Sequence, residues 1–241
     1  MEIAARSLCR RFGAQRALEA LDLDVPAGSS FGLLGANGAG KTTFLRLVTG
    51  YLLPSAGTLL VGGVSPAEHP SRVQARIGYV METTRLYPEL RVCGLLRFLA
   101  AARGLARPDR EAAVERAIER FALAPVAKRL VGNLSKGYQQ RVSLAQAFLH
   151  DPPLVIVDEP TGGLDPVQQR EVQERLRALQ GERTLLLCTH DLAEARALTT
   201  RVAILHAGRL VACGPTEAVL GGGDPLALFR GGPDAGGEAR P

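Results

Sequence analysis

The run Gly35-Ala36-Asn37-Gly38-Ala39-Gly40-Lys41-Thr42 is the most informative segment of this 241-residue chain. It matches the pattern GxxxxGK[ST], in which glycines let a loop wrap around a phosphate group without Cβ clashes. The apolar residues before and after it predict a strand, a loop and a helix, so that the positive end of the helix faces the bound anion. Lys41 could then reach the β and γ phosphates of a nucleotide, and Thr42 could ligate Mg²⁺.

The composition is that of an ordinary globular protein, with 46% hydrophobic and 22% charged residues and a mean hydropathy of +0.06. No apolar stretch approaches the roughly 20 residues that cross a bilayer, and no secretory segment is recognisable, so we expect a cytoplasmic protein. The net charge is +5, yet no basic run exceeds Arg10-Arg11, and charge alone therefore identifies no partner. The four cysteines are scattered without a CxxC pair, and we expect reduced packing residues: Cys9, Cys93, Cys188 and Cys213.

A second motif is the strand that ends in acid, Leu154-Val155-Ile156-Val157-Asp158-Glu159. Four consecutive aliphatic residues favour a parallel strand buried on both faces, and its carboxyl end is where open α/β sheets bind ligands. Asp158 would hold Mg²⁺ through water, and Glu159 would polarise the water that attacks a γ-phosphate. Taken alone, the pattern is no more than a strand end followed by a turn, and the phosphate loop gives it the catalytic interpretation.

A third motif, Leu134-Ser135-Lys136-Gly137-Tyr138-Gln139-Gln140-Arg141, opens a predicted helix that Ser135 is placed to cap. Together the three motifs resemble the ATP-binding subunit of ABC transporters, whose LSGGQ signature precedes the acidic strand at about this distance. The resemblance spans roughly residues 2 to 215. Lys136 and Tyr138 depart from the usual Gly and Gln, and similar LSKG variants occur in exporter ATPases of the drug-efflux and gliding-motility types.

The resemblance implies roles for further residues. Phe12 stands where the family stacks an aromatic ring on adenine, although it could also be a buried residue at a strand end. Glu82 stands where the family has a glutamine that contacts Mg²⁺ and water, and it could also be a solvated loop residue. Asp165 matches the D-loop and could equally cap a helix that begins at Pro166. His190, which follows an aliphatic strand and precedes a capping box at Asp191, matches the switch histidine that contacts the γ-phosphate.

The resemblance also implies the full set of site residues. Glu159 and His190 would be catalytic, and Thr42, Asp158 and Glu82 would contact the metal. Nucleotide contacts are expected from Phe12, Gly35, Asn37, Gly38, Gly40, Lys41, Thr42, Thr43, Glu82, Ser135, Gly137 and Asp165.

The expected fold class is α/β: a P-loop cassette with a parallel core sheet, an antiparallel β subdomain and a helical signature subdomain. Residues 1–220 would form this single ATPase domain, with the helical subdomain at about 88–145. The β subdomain would use residues 1 to about 25 together with Thr58-Leu59-Leu60-Val61. Residues 221–241 are rich in Gly and Pro, and we expect a flexible tail there.

The family mechanism implies ATP and Mg²⁺ as ligands and a head-to-tail dimer that encloses two ATP molecules. Ser135 and the Gly137 N–H of one copy would contact the γ-phosphate bound by the other, and homodimer and heterodimer both remain open. The resemblance implies that the chain sits at the inner face of the cell membrane through a transmembrane permease, that the transporter is an exporter, and that there is no direct contact to nucleic acid. The permease would dock in the groove between the lobes, on the segment after Glu82 that includes Leu86, Tyr87, Pro88 and Leu90.

Two other function classes share some of these motifs. A soluble ABC ATPase acting on ribosomes or nucleic acid generally carries two cassettes or a long coiled-coil insertion, and this sequence has neither. A module that holds ATP without hydrolysing it would not need the catalytic set around Lys41, Asp158, Glu159 and His190. The transported substrate leaves no signal in the sequence, because selectivity belongs to the permease.

Overall fold

The computed structural model describes residues 1–82 and 86–222. In chain order the elements are β1 (Ile3–Phe12), β2 (Gln15–Val25), β3 (Ser30–Leu34), α1 (Lys41–Val48), β4 (Ala56–Val61), α2 (Pro70–Gln74), β5 (Ile77–Val80), α3 (Val92–Ala102), α4 (Arg107–Arg120), two 3-10 turns (Ala124–Val126 and Val131–Asn133), α5 (Lys136–Ala147), β6 (Leu154–Asp158), α6 (Pro166–Arg177), β7 (Thr184–Thr189), α7 (Leu192–Leu198), β8 (Arg201–His206), β9 (Arg209–Pro215) and α8 (Thr216–Leu220). The tail expected at 221–241 lies outside the described residues, apart from Gly221 and Gly222.

The chain divides into two compact units. The first unit contains Met1–Gln74 and the described residues from Gln180 onward, and the second is Ala75–Leu179. The chain thus leaves the first unit once and returns to it. None of the helices within residues 1–82 and 86–222 combines the length and the apolar character that a bilayer crossing requires.

The first unit begins with a three-stranded antiparallel sheet in the order β2-β1-β4. Ile3 at the start of β1 pairs with Val25 on one side and with Val61 on the other. Leu21, Leu23 and Val25 alternate with exposed aspartates, so one face of β2 is apolar and buried. The predicted β subdomain from residues 1–25 and 58–61 is therefore confirmed.

Parallel strands in the order β7-β3-β8, with β9 antiparallel beside β8, form the second layer of the first unit. All five residues of β3 and all six of β7 are buried, as expected for strands covered on both faces. Both strands end at a candidate site residue, because Gly35 follows β3 and His190 follows β7. Cys188 lies buried in β7, whereas Cys213 is exposed on β9, the edge strand of this sheet, so the packing role predicted for Cys213 is wrong.

The second unit pairs β5 with β6 in parallel and packs α5 on β5, and α3, α4 and α6 pack against α5. Its three helices between Val92 and Ala147 fall within the segment for which a helical subdomain was expected, but the unit also includes β5, β6 and α6. The end of α5 packs closely on β5: a Cβ added at Gly78 would lie 2.3 Å from the carbonyl oxygen of Ala147. This contact requires glycine at position 78.

Candidate nucleotide site

The phosphate loop connects β3 to α1, and its backbone requires glycine at both ends. Gly40 has φ 109°, and an added Cβ would lie 2.7 Å from the carbonyl oxygen of Ala17. An added Cβ on Gly35 would lie 2.4 Å from the carbonyl oxygen of Leu205. Gly38 has φ 81° but faces open space, so the apex of the loop is exposed to solvent.

Lys41 lies beneath this loop and is only 7% exposed. Its Nζ donates to the carbonyl oxygen of Gly35 at 2.5 Å and to that of Ala36 at 3.3 Å. Helix α1 begins at Lys41 behind Gly40, which has no side chain to cap the first N–H groups of the helix. An eight-residue helix with an uncapped N-terminus and a lysine at its first position offers an anion both N–H donors and positive charge.

Thr42 is exposed at the start of α1, and the neighbouring Thr43 is half-buried. Asn37 is exposed at the apex of the loop. The structure thus places all the predicted loop residues at one end of β3, with the hydroxyl group of Thr42 accessible from solvent.

Phe12 ends β1 and is 42% exposed. The alternative of a buried strand-end residue is therefore wrong, and the ring is accessible for stacking. Gly13 follows with φ 58°, which allows the tight turn into β2. The position is consistent with the predicted adenine contact, although the residue sequence alone could not show that the ring is exposed.

His190 is exposed in the loop between β7 and α7. The carboxylate of Asp191 caps α7, because its Oδ1 accepts from the N–H of Ala193 at 2.7 Å and from that of Glu194 at 3.2 Å. The N–H of Asp191 donates to the hydroxyl group of Thr189 at 3.0 Å, where a full capping box would use the side chain of Glu194. The loop that carries His190 is thus held on both sides.

The acidic pair lies in the second unit, at the end of the fully buried strand β6. Asp158 is 5% exposed, and Glu159 is half-buried. Glu159 has φ 48°, a left-handed conformation that costs a residue with a side chain about 1–3 kcal/mol. Such strain is typical of residues whose side chain must point in one direction for function.

The signature segment opens α5 as predicted. Ser135 is exposed and caps the helix, since its Oγ accepts from the N–H of Tyr138 at 3.4 Å. Asp165 likewise caps α6, and its Oδ1 accepts from the N–H groups of Val167 and Gln168 at 3.0 and 2.9 Å. The helix-capping reading of Asp165 is thus confirmed, and its side chain is exposed to solvent.

The two departures from LSGGQ occupy different surroundings. Lys136 is exposed, and its Nζ lies 3.9 Å from the position of a Cβ added at Gly163. Tyr138 supports Arg141, whose guanidinium Cζ lies 4.1 Å from the ring centroid. The Arg141 side chain is 9% exposed, and its Nη2 lies 3.4 Å from Oε2 of Glu171 in α6. The sequence did not predict these contacts of Arg141, because their only signal is a single arginine within an otherwise apolar helix face.

Glu82 is exposed directly after β5, and residues 83–85 lie outside the described residues. Its exposure is compatible with the solvated-loop alternative as well as with a metal contact. Tyr87, which was expected in the docking segment, is 47% exposed and meets Phe98 of α3 edge to face, with ring centroids 5.8 Å apart. Phe98 is 50% exposed and was missed because its helical spacing alone favours a core position.

The candidate residues therefore divide between the units. The first unit carries Phe12, the phosphate loop and His190. The second carries Glu82, Ser135, Gly137, Asp158, Glu159 and Asp165. Within the described ranges 1–82 and 86–222, no group of three or more His, Cys, Asp or Glu residues is arranged to hold a metal ion by itself.

Comparison with known proteins gives a family match that spans the phosphate loop, the signature segment and the acidic pair. Residues 18–162 match the family model described as "ABC transporter". The chain is 37% identical over 216 residues to the Nod factor export ATP-binding protein I of Cupriavidus metallidurans, a match that covers 89% of this chain and 71% of the relative. It is 34% identical to the bacitracin transport ATP-binding protein BcrA of Bacillus licheniformis, over 87% of this chain and 68% of the relative.

A solved structure described as the ATP-binding subunit of an ABC transporter superposes with a TM-score of 0.83 at 32% identity, over 96% of this chain and 99% of that one. The structure of cbiO1 from Clostridium perfringens, described as part of the transporter complex cbiONQ, superposes with a TM-score of 0.84 at 25% identity, over 91% of this chain and 90% of that one. The expected α/β cassette fold is confirmed.

Proposed function

Because this chain belongs to the ABC transporter family and is one of its ATP-hydrolysing subunits, we propose that it powers an exporter through a separate transmembrane permease. The relatives that it matches over most of its length include proteins named for Nod factor export and for bacitracin transport. The LSKG form of the signature supports the same direction of transport. The chain would then lie at the inner face of the cell membrane, held there by the permease and without direct contact to nucleic acid.

The observation that carries the proposal is the phosphate loop of the first unit. The Lys41 ammonium is buried and donates to two loop carbonyl oxygens, and the N-terminus of α1 is uncapped. A triphosphate in the loop would offer charged oxygens to Lys41, and a charge-assisted hydrogen bond is stronger than one to a neutral carbonyl. Nucleotide binding would therefore draw Lys41 from Gly35 toward the β and γ phosphates.

Thr42 and Asp158 fit Mg²⁺, because hydroxyl and carboxylate oxygens are the hard donors that this ion uses together with phosphate oxygens and water. The exposed hydroxyl of Thr42 and the nearly buried carboxylate of Asp158 would hold it, with Glu82 as a further acidic contact. When bound, the ion neutralises phosphate charge.

Hydrolysis follows from what the protein's own side chains can do. The Glu159 carboxylate would orient a water molecule and accept its proton while the water oxygen bonds to the γ-phosphorus and the bond to ADP breaks. His190 would donate to the γ-phosphate and hold it in line. Phe12 would stack on adenine, and the loop N–H groups would bind the remaining phosphates.

Dimer closure would depend on Ser135 and on the N–H of Gly137. Ser135 is exposed at the start of α5, whereas Gly137 is buried beside Gln168 of α6. We infer that the Ser135 hydroxyl and the Gly137 N–H complete the phosphate site of a second copy. Loss of the γ-phosphate would remove these charge-assisted contacts and reopen the dimer. The permease would dock against the second unit, where the Tyr87 and Phe98 rings are half-exposed.

Substitution of the chain's lysines tests the proposal sharply, because there are only three. Lys41→Ala should abolish ATP turnover, whereas Lys128→Ala removes an exposed lysine of the second unit and should leave turnover unchanged. Wild-type turnover in the Lys41 variant would contradict the assigned site. Docking is tested with the membrane protein that co-purifies with this chain: Phe98→Asp should release the chain from membranes and keep its turnover in solution, and continued membrane binding would overturn the docking surface.

A further inference from the structure

The Arg10 guanidinium covers one face of the Phe12 ring. Its Cζ lies 4.6 Å from the ring centroid, within the range of a cation–π contact. A planar guanidinium stacks on an aromatic face, which an ammonium group cannot do. Phe12 remains 42% exposed with Arg10 in this position, so part of the residue is open to solvent.

Arg10 is itself anchored to the chain segment that follows the phosphate-loop helix. Its Nη1 donates to the carbonyl oxygen of Leu53 at 2.8 Å. Two more hydrogen bonds join the same segment to β1. The Ser55 N–H donates to the carbonyl oxygen of Cys9 at 2.8 Å, and the Arg11 N–H donates to Ser55 Oγ at 3.0 Å. The guanidinium is therefore fixed relative to the chain that leaves α1.

The same hairpin also contacts the phosphate loop. Phe12 pairs with Gln15 at the tip of the β1–β2 hairpin. Two residues further along β2, the carbonyl oxygen of Ala17 packs against Gly40 of the phosphate loop. The aromatic ring and the phosphate loop are thus connected through one hairpin of the first unit. A ring held in a fixed plane on this hairpin would be correctly placed before any ligand arrives.

Phenylalanine needs such support more than tyrosine does. A tyrosine could fix its ring through a hydrogen bond from its hydroxyl group, whereas Phe12 has no polar atom. An unsupported, half-exposed ring would lose rotational freedom when a base stacks on it, and that lost entropy weakens binding. Arg10 restricts the ring in advance, and the residue still keeps 42% of its surface exposed.

We propose that Arg10 is a positioning residue for the nucleotide base: it lies on the far face of Phe12 and holds the ring so that the open face receives adenine. This inference rests on the proposed function, in which Phe12 contacts adenine. Arg10 then contributes to affinity for the base and not to affinity for the phosphates.

The test compares ADP with inorganic pyrophosphate by titration calorimetry, since neither is consumed by the hydrolysis of a γ-phosphate. Arg10→Met keeps the aliphatic stem and should weaken ADP binding about two- to fivefold, the range of an exposed cation–π contact, with pyrophosphate binding unchanged. The ADP affinity of Arg10→Lys should lie between those of Arg10→Met and the wild type. The matched control is Arg11→Met, which removes the same charge from the adjacent, exposed residue and should leave both affinities unchanged.

A double-mutant cycle identifies the route of the effect. In a Phe12→Ala background, Arg10→Met should no longer change ADP affinity, because the ring through which Arg10 acts is gone. An equal loss of ADP and pyrophosphate binding, an unchanged ADP affinity, or tighter ADP binding in Arg10→Met would each overturn the proposal. The last result would mean that Arg10 occupies the face that the base needs.

The proposed function fails in a different pattern. A wild-type chain that binds neither ADP nor pyrophosphate would contradict both proposals. A chain that binds ADP equally well with and without the Phe12 ring would contradict the adenine contact itself. The positioning role is supported only if Arg10→Met weakens the binding of ADP but not of pyrophosphate, and only if this loss of affinity disappears in the Phe12→Ala background.

Discussion

Gln168 of α6 lies directly against Gly137 of the signature segment: a Cβ added at Gly137 would come within 2.9 Å of both Cγ and Cδ of Gln168. Gln168 also donates its backbone N–H to Asp165, which caps α6. One residue thus contacts the start of α5 and the cap of α6. A side chain at position 137 would therefore require the Gln168 side chain to move.

The contact predicts that Gly137→Ala raises stability less when Gln168 is present than when it is absent. In the wild type the new methyl group must displace the flexible end of the Gln168 side chain, so part of the gain from the higher helix propensity of alanine is lost. In a Gln168→Ala background the space is free, and the higher helix propensity of alanine should raise stability by about 0.5–1 kcal/mol. Urea unfolding of the four variants measures both values, and equal effects in the two backgrounds would exclude the contact.

The motifs of this chain could be predicted because each is encoded by adjacent residues. The cap by Ser135, the cap by Asp165 and the strand–loop–helix around Lys41 need only a short segment and its local hydrogen bonds. A side chain oxygen at the right position satisfies helix N–H groups whatever the rest of the fold does. These elements were accordingly identified at the correct residues.

Contacts between distant segments could not be predicted in the same way. Arg10 meets a carbonyl 43 residues away, and the Arg141–Glu171 ion pair joins two helices that the sequence does not relate. Even the exposure of Phe12 depends on what the fold leaves uncovered. Such features arise from tertiary packing, and packing between distant segments leaves no periodic pattern in a single sequence.

Glu159→Gln should separate ATP binding from ATP hydrolysis. The amide keeps the size of the side chain but cannot accept the proton of the attacking water, so turnover should fall by a factor of about 100 or more. The contacts that bind nucleotide remain, and gel filtration with ATP and Mg²⁺ should show an accumulated dimer. Glu115→Gln, on an exposed face of α4, is the matched control and should behave as wild type. Equal turnover in Glu159→Gln and wild type would refute the role of Glu159.

Ser135→Arg should prevent closure of that dimer through bulk and positive charge. The substitution also removes the cap of α5, which costs about 1 kcal/mol, so Ser135→Ala is needed as a control with the same lost cap. In a Glu159→Gln background, the alanine variant should retain more of the ATP-dependent dimer than the arginine variant, which should stay monomeric. Both variants should bind ATP as monomers, because Ser135 would serve the site of the other copy. A full dimer of the arginine variant would place the interface elsewhere.

His150 should make the second unit sensitive to acid. It follows α5, and its Nε2 lies 3.1 Å from the carbonyl oxygen of Ile77 at the start of β5. Burial, reinforced by the positive charge of Arg103, lowers the pKa of His150 from 6.5 to about 4, against smaller opposing effects of the Ile77 carbonyl and Asp151. The neutral ring is therefore the form that the folded chain holds, with Nε2 as the donor to Ile77.

Because the unfolded chain takes up a proton on His150 at higher pH than the folded chain does, the stability contributed by this residue is complete above about pH 6.5 and declines toward pH 4, with no further loss below that value. Solvent reaches part of the ring, so the loss should stay below about 2 kcal/mol. His150→Gln keeps a donor for the Ile77 carbonyl but does not titrate, and its unfolding free energy should fall less than that of the wild type between pH 7.5 and 4.5. His69→Gln, at an exposed position, should keep the wild-type pH dependence. A His150 variant that loses as much stability as the wild type over this interval would assign the acid sensitivity to other groups.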